Sequence, residues 1–184
     1  MILAGGRGSR LGGREKGDIR ISGERLIDLV NRAAREVGCQ EVIIAGDITS
    51  DGAVTVREEP PFGGPAAGLA AALGEVTGDW VLLLACDLAR AGQLGELISS
   101  AFDPTTAEGD GMVVVERGRR QWLSGLYRRS SVEKSLAGIE RVSGTSLESL
   151  LGTLNLVEID DPDGLSRDID TPEDLAAIQR KESK

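Results

Sequence analysis

Residues 2–17 join a short apolar run to a glycine-rich, basic stretch, and this segment constrains the fold more than any other. An apolar run that breaks into glycines indicates a β-strand followed by a loop. Glycines such as Gly5 and Gly6 let the backbone approach an anionic ligand closely and turn its N–H groups toward that ligand. Arg10 and Lys16 add full positive charges to the same loop. The segment therefore predicts a strand that leads into a cradle for a triphosphate.

Two familiar glycine-loop motifs do not fit the spacing of this segment. A dinucleotide-binding fingerprint requires a third small residue at the position that Leu11 occupies. A P-loop requires Ser or Thr directly after its lysine, whereas Gly17 follows Lys16. The loop is therefore expected to bind phosphate in a different way from both motifs.

The composition bounds the class of protein. The chain has 184 residues, of which 40% are hydrophobic, so we expect one domain, residues 1–184, with a full core. It carries no apolar run of about 18 residues and no signal-peptide pattern, which favours a cytoplasmic protein without a membrane partner. The chain has no histidine, and Cys39 and Cys86 are isolated, so a zinc site and a histidine-dependent nucleophile are excluded.

The charge of the chain argues against nucleic acid as a partner. The formal net charge is −9, whereas a nucleic-acid surface needs a basic face that neutralises phosphates. Positive charge is concentrated in the first loop and in residues 117–129. Basic runs are more often solvated faces than sites, so only the glycine-rich loop is a strong candidate.

Strands and helices alternate along the chain, as in an α/β protein with a mostly parallel sheet. Strands are predicted at residues 1–4, 41–45, 53–56, 80–86, 111–115, 121–127 and 155–159. Helices are predicted at residues 24–37, 66–73, 93–101, 131–139 and 146–151, and a last helix is expected to begin after Thr171 as its N-cap. The expected fold is a single-domain, three-layer α/β structure.

Asp87 directly follows the apolar run Trp80–Cys86, which is typical of a central strand buried on both faces. In an open α/β sheet the ligand lies outside the carboxyl ends of the strands, where Asp87 is expected. A carboxylate at this place is costly without a partner, and a hard cation such as magnesium is a suitable one. The alternative is an aspartate that caps the next helix.

Two of these motifs resemble the molybdenum cofactor guanylyltransferases, which belong to the Rossmann-like nucleotidyltransferases. Leu3-Ala4-Gly5-Gly6, followed by basic residues and a spaced lysine, is similar to the opening motif of that family. Cys86-Asp87 matches the Cys-Asp with which the family holds magnesium. The chain departs from the family in the next three residues, Leu88-Ala89-Arg90, where a proline and an aromatic or apolar residue are usual.

Two further segments extend the resemblance to most of the chain. Residues 57–69 resemble an acidic residue followed by a Pro/Gly loop and a helix start, with Glu59, or less favourably Glu58, at a position that is usually Asp. Residues 168–175 resemble the family's Asn-x-Asn-Thr-Pro-Glu-Asp-Leu, with Asp168 and Asp170 in place of the two asparagines.

The resemblance implies a specific reaction, the transfer of GMP from GTP to molybdopterin carrying molybdenum, with release of pyrophosphate. It implies that the backbone of Leu3, Ala4, Gly5 and Gly6 contacts guanine, that Glu59 contacts the base or ribose, and that Mg²⁺ is held by Asp87 and Asp168. Arg10 and Lys16 would bind the triphosphate. Transient contacts with molybdoenzymes or other cofactor-biosynthesis proteins are also expected.

Two alternatives stay open at this point. A related nucleotidyltransferase that uses CTP or a sugar-phosphate acceptor would keep the same triphosphate loop and the same metal-binding aspartate. A catalytically inactive nucleotide-binding relative would be favoured if Asp87 and Asp168 did not converge, since the altered residues 88–90 are consistent with lost activity.

Overall fold

The computed structural model describes residues 1–5, 15–169 and 174 of the chain. The strands are β1 (Ile2–Leu3), β2 (Arg20–Ile21), β3 (Glu24–Arg25), β4 (Ile43–Ala45), β5 (Val54–Val56), β6 (Trp80–Ala85), β7 (Gly111–Glu116), β8 (Arg119–Arg128) and β9 (Leu156–Asp160). The helices are α1 (Leu26–Glu36), α2 (Pro65–Leu73), α3 (Ala91–Ser100), α4 (Arg129–Ala137) and α5 (Leu147–Leu151). None of the described helices is long and apolar enough to cross a membrane.

A seven-stranded sheet in the order β5-β4-β1-β6-β8-β7-β9 forms the centre of the molecule. Strands β5, β4, β1 and β6 are parallel to one another, and β9 is parallel to β7. Strand β8 is antiparallel to both of its neighbours, β6 and β7. The expectation of a mostly parallel sheet in a Rossmann-like α/β fold is confirmed.

Side chains of the sheet alternate between two apolar layers, one on each face. Ile2 packs with α1 and α3 in one layer, whereas the next residue, Leu3, packs with α2, α4 and α5 in the other. Both residues are buried, which is why a strand this short reads as a continuous apolar run in the sequence. The sheet is therefore covered on both faces, and its polar chemistry is confined to the strand ends.

The predicted elements correspond to observed ones with small shifts at their ends. Several ends shift by two residues, among them the start of the first helix, which begins at Leu26 because Glu24–Arg25 instead pairs with Arg20–Ile21 in a hairpin. Ser22 and Gly23 form its two-residue turn with φ of 49° and 89°, a conformation that both central residues of a type I′ turn adopt. The predicted last helix, after Thr171, lies outside the described residues.

Candidate functional site

The direction of chain progression across the sheet reverses beside β1. From β1 the chain moves through β4 to β5, and it then returns to place β6 on the other side of β1. In doubly wound α/β folds, ligands bind outside the carboxyl ends of the strands at such a switch point. Lys16 lies in the segment that follows β1, and Asp87 lies just after β6. The two sequence-predicted residues therefore lie on either side of the switch point.

Lys16 and Asp87 are in direct contact. The Nζ atom of Lys16 donates a hydrogen bond to Oδ2 of Asp87 at 2.7 Å. The Asp87 side chain is 6% exposed and that of Lys16 is 27% exposed, so the carboxylate is enclosed while the ammonium group borders solvent. Burial of the carboxylate is compensated by this charged partner, because a buried charge is tolerated when it is paired and hydrogen-bonded. The ammonium group of Lys16 is therefore a cation at the solvent-facing side of the switch point.

The backbone around Lys16 is fixed by close packing. Residues Lys16–Asp18 form a single 3-10 turn whose central residue, Gly17, is buried. A Cβ atom on Gly17 would lie 2.9 Å from Cδ1 of Ile48 and 3.2 Å from Cβ of Ile27, so the turn sits directly on the side chains below it. This packing holds the backbone from which the Lys16 side chain reaches Asp87.

The Cys86 thiol beside Asp87 is kept protonated. Burial raises the pKa of Cys86 to about 12, and the negative charge of Asp87 adds to the effect. Because the thiolate is the nucleophilic form of cysteine, this side chain is inert at neutral pH. Cys86 therefore acts as a small apolar residue at the end of β6, and the chemistry of the site falls to charge and position.

Asp168 is brought to Asp87 by the backbone. Leu88 and Asp168 form an isolated antiparallel bridge, and the N–H of Ile169 donates to the carbonyl oxygen of Asp87 at 3.2 Å. Within the part of the chain that the structure describes, no cluster of three or more acidic or cysteine side chains is present that could hold a metal. Two carboxylates on adjacent segments are nonetheless a donor set that suits magnesium, which takes one or two carboxylates together with substrate phosphates.

The turn that precedes Asp168 is organised by a buried carboxylate. Asp161 is 2% exposed and accepts hydrogen bonds from the N–H groups of Leu165 and Ser166 at 2.9 and 2.8 Å, and from the Ser166 hydroxyl at 2.7 Å. Burial alone would raise its pKa, but these hydrogen bonds outweigh burial, so the pKa of Asp161 is lowered. The carboxylate stays ionised and ties the turn together.

The three residues after Asp87, where the chain departs from the family pattern, also support this turn. Leu88 is 1% exposed and pairs with Asp168, as described above. Arg90 donates from its guanidinium to the carbonyl oxygen of Asp163 at 2.9 Å. The altered loop is thus built into the contact between the β6 end and the turn before Asp168.

A cavity of about 380 Å³, here called the first cavity, opens beside the ends of β1 and β4. Its wall includes Leu3, Ala4 and Gly5 from the opening motif, and Gly46 from the end of β4. Gly46 has a φ of 154°, and a Cβ atom there would lie 2.8 Å from the carbonyl oxygen of Ala4. Only a glycine therefore allows β4 to leave the sheet this close to β1. Sequence reasoning missed this residue, although a glycine directly after a predicted strand was a visible signal.

Of the two predicted glutamates, Glu58 lines the first cavity, beside two further acidic residues, Glu15 and Asp47. Glu58 is half-buried and lines the cavity together with Arg57 and Phe62, whereas Glu59 is exposed and is not among the lining residues. The Oε1 atom of Glu58 accepts a hydrogen bond from the N–H of Phe62 at 3.1 Å, which closes the loop over residues 58–62. The structure therefore brings the less favoured of the two predicted glutamates to this cavity. Gly6 and Arg10, which were also predicted to bind the nucleotide, lie outside the described residues.

A second cavity of about 360 Å³ lies on the other side of the β6 end. Asp168, Leu88 and Ser166 form one side of it, and Arg120, Trp122 and Ser124 of β8 form another. Pro65 and Leu123 line both cavities, so the two spaces adjoin each other. Two ligands in these cavities would meet at Pro65 and Leu123.

Comparison with known proteins agrees with this architecture. A molybdenum cofactor guanylyltransferase from Pseudomonas putida (strain GB-1) is 39% identical over 100 residues, which cover 51% of this chain and 52% of that protein. The chain thus spans about half the length of the Pseudomonas relatives that it matches. A protein of the same name from Vibrio vulnificus is 28% identical over an alignment that covers 100% of this chain and 95% of the Vibrio protein.

A solved structure supports the fold. Molybdopterin-guanine dinucleotide biosynthesis protein A from Archaeoglobus fulgidus superposes with a TM-score of 0.68 at 22% identity, over 99% of this chain and 97% of that one. Residues 1–156 also match the sequence model of a domain family, and this segment contains Lys16, Asp87 and all the residues that line the first cavity. On this match, which covers most of its length, the chain belongs to the MobA-like NTP transferase domain family.

Proposed function

We propose that the protein transfers the GMP group of GTP to the terminal phosphate of the molybdenum cofactor and releases pyrophosphate. The observation that carries the proposal is the Lys16–Asp87 pair at the switch point, flanked by two adjoining cavities. Family membership and the names of the curated relatives support guanylyl transfer in particular.

The first cavity is assigned to the nucleoside of GTP. Its wall of backbone from Leu3 to Gly5 supplies peptide N–H and C=O groups against which a base edge can be matched. Glu58 adds a carboxylate that can accept from a base or a ribose hydroxyl, so we assign to Glu58 the role that the family resemblance gave to Glu59. A wrong base would leave such groups unpaired at about 1 to 3 kcal/mol each.

The triphosphate is assigned to Lys16 and to the segment before it. Lys16 follows β1 in the chain and donates a hydrogen bond to the Asp87 carboxylate, with its ammonium group at the border of solvent. A lysine binds phosphate as a point charge and needs no fixed fork geometry. Lys16 would thus bind and orient the phosphates as they reach the end of β6, and Arg10 would add a second cation.

Asp87 and Asp168 are the residues that would hold Mg²⁺. When bound there, the ion would neutralise negative charge on the phosphates of the substrate. Asp87 contributes a carboxylate held at a buried strand end, and Asp168 contributes one from a segment that is hydrogen-bonded to it. The hydrogen bond from Lys16 orients the Asp87 carboxylate.

The reaction needs no histidine or other general base. The attacking phosphate of the acceptor is an anion at neutral pH, and it forms a bond to the α-phosphorus of GTP while the bond from that phosphorus to the bridging oxygen of pyrophosphate breaks. The protein contributes position and charge, which are the main elements of catalysis in phosphoryl transfer. The adjoining cavities would hold the two substrates for in-line attack.

The decisive experiment is a pyrophosphate-release assay with molybdenum cofactor and each of GTP, CTP, ATP and UTP. We expect release that depends on both GTP and cofactor, and its loss in Asp87→Asn. Asp163→Asn, which changes an exposed turn residue, is the matched control and should retain activity. Release with CTP alone, or with a sugar phosphate in place of the cofactor, would assign a different nucleotidyl transfer, and no release with any combination would identify an inactive relative.

A further inference from the structure

Two buried polar side chains fix the segment that joins β4 to β5, residues 46–53, on helix α1. Asn31 of α1 is 5% exposed, and Ser50 of this segment is 8% exposed. The Nδ2 atom of Asn31 donates hydrogen bonds to Oγ of Ser50 and to the carbonyl oxygen of Asp51, both at 2.9 Å. The Ser50 hydroxyl donates in turn to Oδ1 of Asp28 at 2.8 Å. Because a buried polar group is costly without a partner, these bonds specify the position of the segment on the helix.

The Arg25 guanidinium connects Asp28 to the 3-10 turn that carries Lys16. Its Nε and Nη2 atoms donate to the two carboxylate oxygens of Asp28 at 2.7 and 2.8 Å, a bidentate geometry that orients both side chains. Its Nη1 atom donates to Oδ1 of Asp18, the last residue of the turn, at 3.2 Å. Its Nη2 atom also donates to the carbonyl oxygen of Thr49 at 3.0 Å. One guanidinium thus joins the turn, α1 and the segment after β4.

The carboxylate at the centre of this arrangement stays ionised. The pKa of Asp28 is lowered, chiefly by hydrogen bonds from Arg25 and also by the one from Ser50, although burial opposes the shift. The ionised carboxylate therefore accepts from both donors at neutral pH. The four residues of this cluster, here called the Asp28 network, are Arg25, Asp28, Asn31 and Ser50.

The Asp28 network holds the Lys16 turn from two sides. On one side, Arg25 contacts the turn at Asp18. On the other side, Ile48 lies in the segment that the network fixes, and a Cβ atom on Gly17 would lie 2.9 Å from its Cδ1 atom. Gly17 is buried, so the turn rests directly on this side chain. A shift of the segment, or loss of the Arg25 contact, would displace the backbone from which Lys16 extends.

We propose that the residues of the Asp28 network are positioning residues for Lys16, which set the place of its ammonium group relative to the triphosphate. The inference rests on the proposed function, which assigns the triphosphate to Lys16. Of the described residues that line the two cavities, none belongs to the network, so the network acts through the turn and not through contact with substrate. A misplacement of about 1 Å in a site can cost about a hundredfold, so the residues that hold a binding group determine its effect.

The first test interrupts the network at two places. Asp28→Asn removes the charge that Arg25 binds, and Ser50→Ala removes the hydroxyl that lies between Asn31 and Asp28. We expect GTP affinity, measured by calorimetric titration with Mg²⁺, to fall about tenfold in Asp28→Asn and about threefold in Ser50→Ala. Ser50→Thr keeps a hydroxyl and should hold the affinity within twofold of wild type. Wild-type affinity in both Asp28→Asn and Ser50→Ala would overturn the inference.

Arg32→Ala is the matched control on the same helix. Arg32 forms exposed ion pairs with Glu24 and Glu36 at 2.9 and 3.2 Å and does not belong to the network. Its removal changes the charge of α1 without touching the Lys16 turn. GTP affinity in Arg32→Ala should stay within twofold of wild type, and a loss equal to that of Asp28→Asn would contradict a specific role for the network.

A double-mutant cycle with Lys16→Ala separates positioning from a general loss of structure. A residue that acts through Lys16 loses its effect on binding when the ammonium group is absent. Asp28→Asn should therefore change GTP affinity less than twofold when Lys16→Ala is already present, although it lowers the free energy of unfolding in both backgrounds. Lys16→Ala keeps the first cavity, so GTP binding stays measurable. An equal loss of GTP affinity in both backgrounds would overturn the inference.

The outcomes also keep the two proposals apart. If the cycle shows coupling to Lys16 but no GMP is transferred to the molybdenum cofactor, the inference stands and the proposed reaction is wrong. If transfer proceeds and the cycle shows no coupling, the reaction stands and the inference is wrong. If CTP or ATP binds in place of GTP, the same cycle with that nucleotide decides the inference, because the network acts on a phosphate-binding lysine. Absence of binding by every triphosphate would overturn both proposals.

Discussion

The ammonium group of Lys16 lies 2.7 Å from Oδ2 of Asp87, although the two residues are 71 positions apart in the chain. Each residue comes from a different side of the switch point, one after β1 and the other after β6. The contact joins the two segments that the proposed reaction requires to act together. It also makes each residue a determinant of stability, because the Asp87 side chain is only 6% exposed.

Lys16→Ala should weaken both folding and nucleotide binding. Removal of the ammonium group leaves a buried carboxylate without this charged partner, which we expect to cost about 1 to 3 kcal/mol in the free energy of unfolding. GTP affinity should fall because the triphosphate loses a point charge. Urea denaturation and calorimetric titration measure the two effects, with Lys134→Ala, which changes an exposed lysine on α4, as the control.

The double variant Lys16→Ala/Asp87→Asn isolates the pair. If the stability loss comes from the unpaired carboxylate, neutralising Asp87 should restore part of the free energy of unfolding that Lys16→Ala loses. GTP binding should stay weak in the double variant. Additive losses in both measurements would show that the contact between the two side chains does not stabilise the fold.

Gly46→Ala should distort the part of the first cavity that Gly46 and Ala4 line. The new Cβ would lie 2.8 Å from the backbone oxygen of Ala4 at a φ of 154°, so either β1 or β4 has to move. We expect a loss of about 2 kcal/mol in the free energy of unfolding and weaker GTP binding. Gly92→Ala on α3 is the control, since nothing lies within 4 Å of the added atom. Wild-type GTP affinity in Gly46→Ala would remove the first cavity from the nucleotide site.

Glu58 and Glu59 form a natural matched pair, since they are neighbours of the same type. Only Glu58 lines the first cavity, where it can accept from the nucleoside. Glu58→Gln should therefore lower GTP affinity about tenfold, equivalent to about 1.4 kcal/mol, and Glu59→Gln should leave it within twofold of wild type. Calorimetric titration decides between them. The reverse order would return the role to Glu59.

Asp161 should give the protein a specific sensitivity to acid. The pKa of its carboxyl is lowered because hydrogen bonds from Leu165 and Ser166 outweigh burial. A depressed pKa in the folded state stabilises the fold above the unfolded pKa, and that stability is lost as the pH falls through the folded pKa. The carboxylate's contribution is therefore complete at neutral pH and is lost as the pH falls below 3.8, the ordinary pKa of an aspartate carboxyl.

Asp161→Asn tests this linkage directly. At neutral pH we expect a loss of about 1 to 3 kcal/mol in the free energy of unfolding, because a buried acceptor of several hydrogen bonds is removed. The difference from wild type should shrink as the pH is lowered below about 3.8. Asp163→Asn, on the surface of the same turn, should follow the wild-type pH profile. A constant difference at every pH would mean that ionisation of Asp161 does not contribute.

The strand ends were the part of the site that the sequence predicted best. The run Trp80–Cys86 indicated a buried strand, and Asp87 followed it, so the position of this carboxylate depended only on local pattern. Lys16 was likewise marked by its place after a strand and a glycine loop. The pairing of these two residues was not predictable, because it depends on the order of strands in the sheet.

Residues whose roles arise from packing between segments were missed. Gly46 matters because β4 passes next to Ala4, and Gly125 matters because Tyr127 needs its space, and neither contact is local in sequence. The choice between Glu58 and Glu59 depended on the path of a proline-containing loop, which single-residue patterns do not determine. A bulge in β8 also lay inside a segment that was predicted simply as a strand at residues 121–127.

The affinity for GTP compared with CTP and ATP, measured by calorimetric titration in the presence of Mg²⁺, tests the central claim most directly. The opening Leu-Ala-Gly-Gly loop lines the first cavity through Leu3, Ala4 and Gly5, where a base edge would be matched by backbone groups. We predict that GTP binds at least tenfold more tightly than CTP or ATP, a difference of about 1.4 kcal/mol. Equal affinities, or a preference for CTP, would contradict the assignment of guanylyl transfer to this protein.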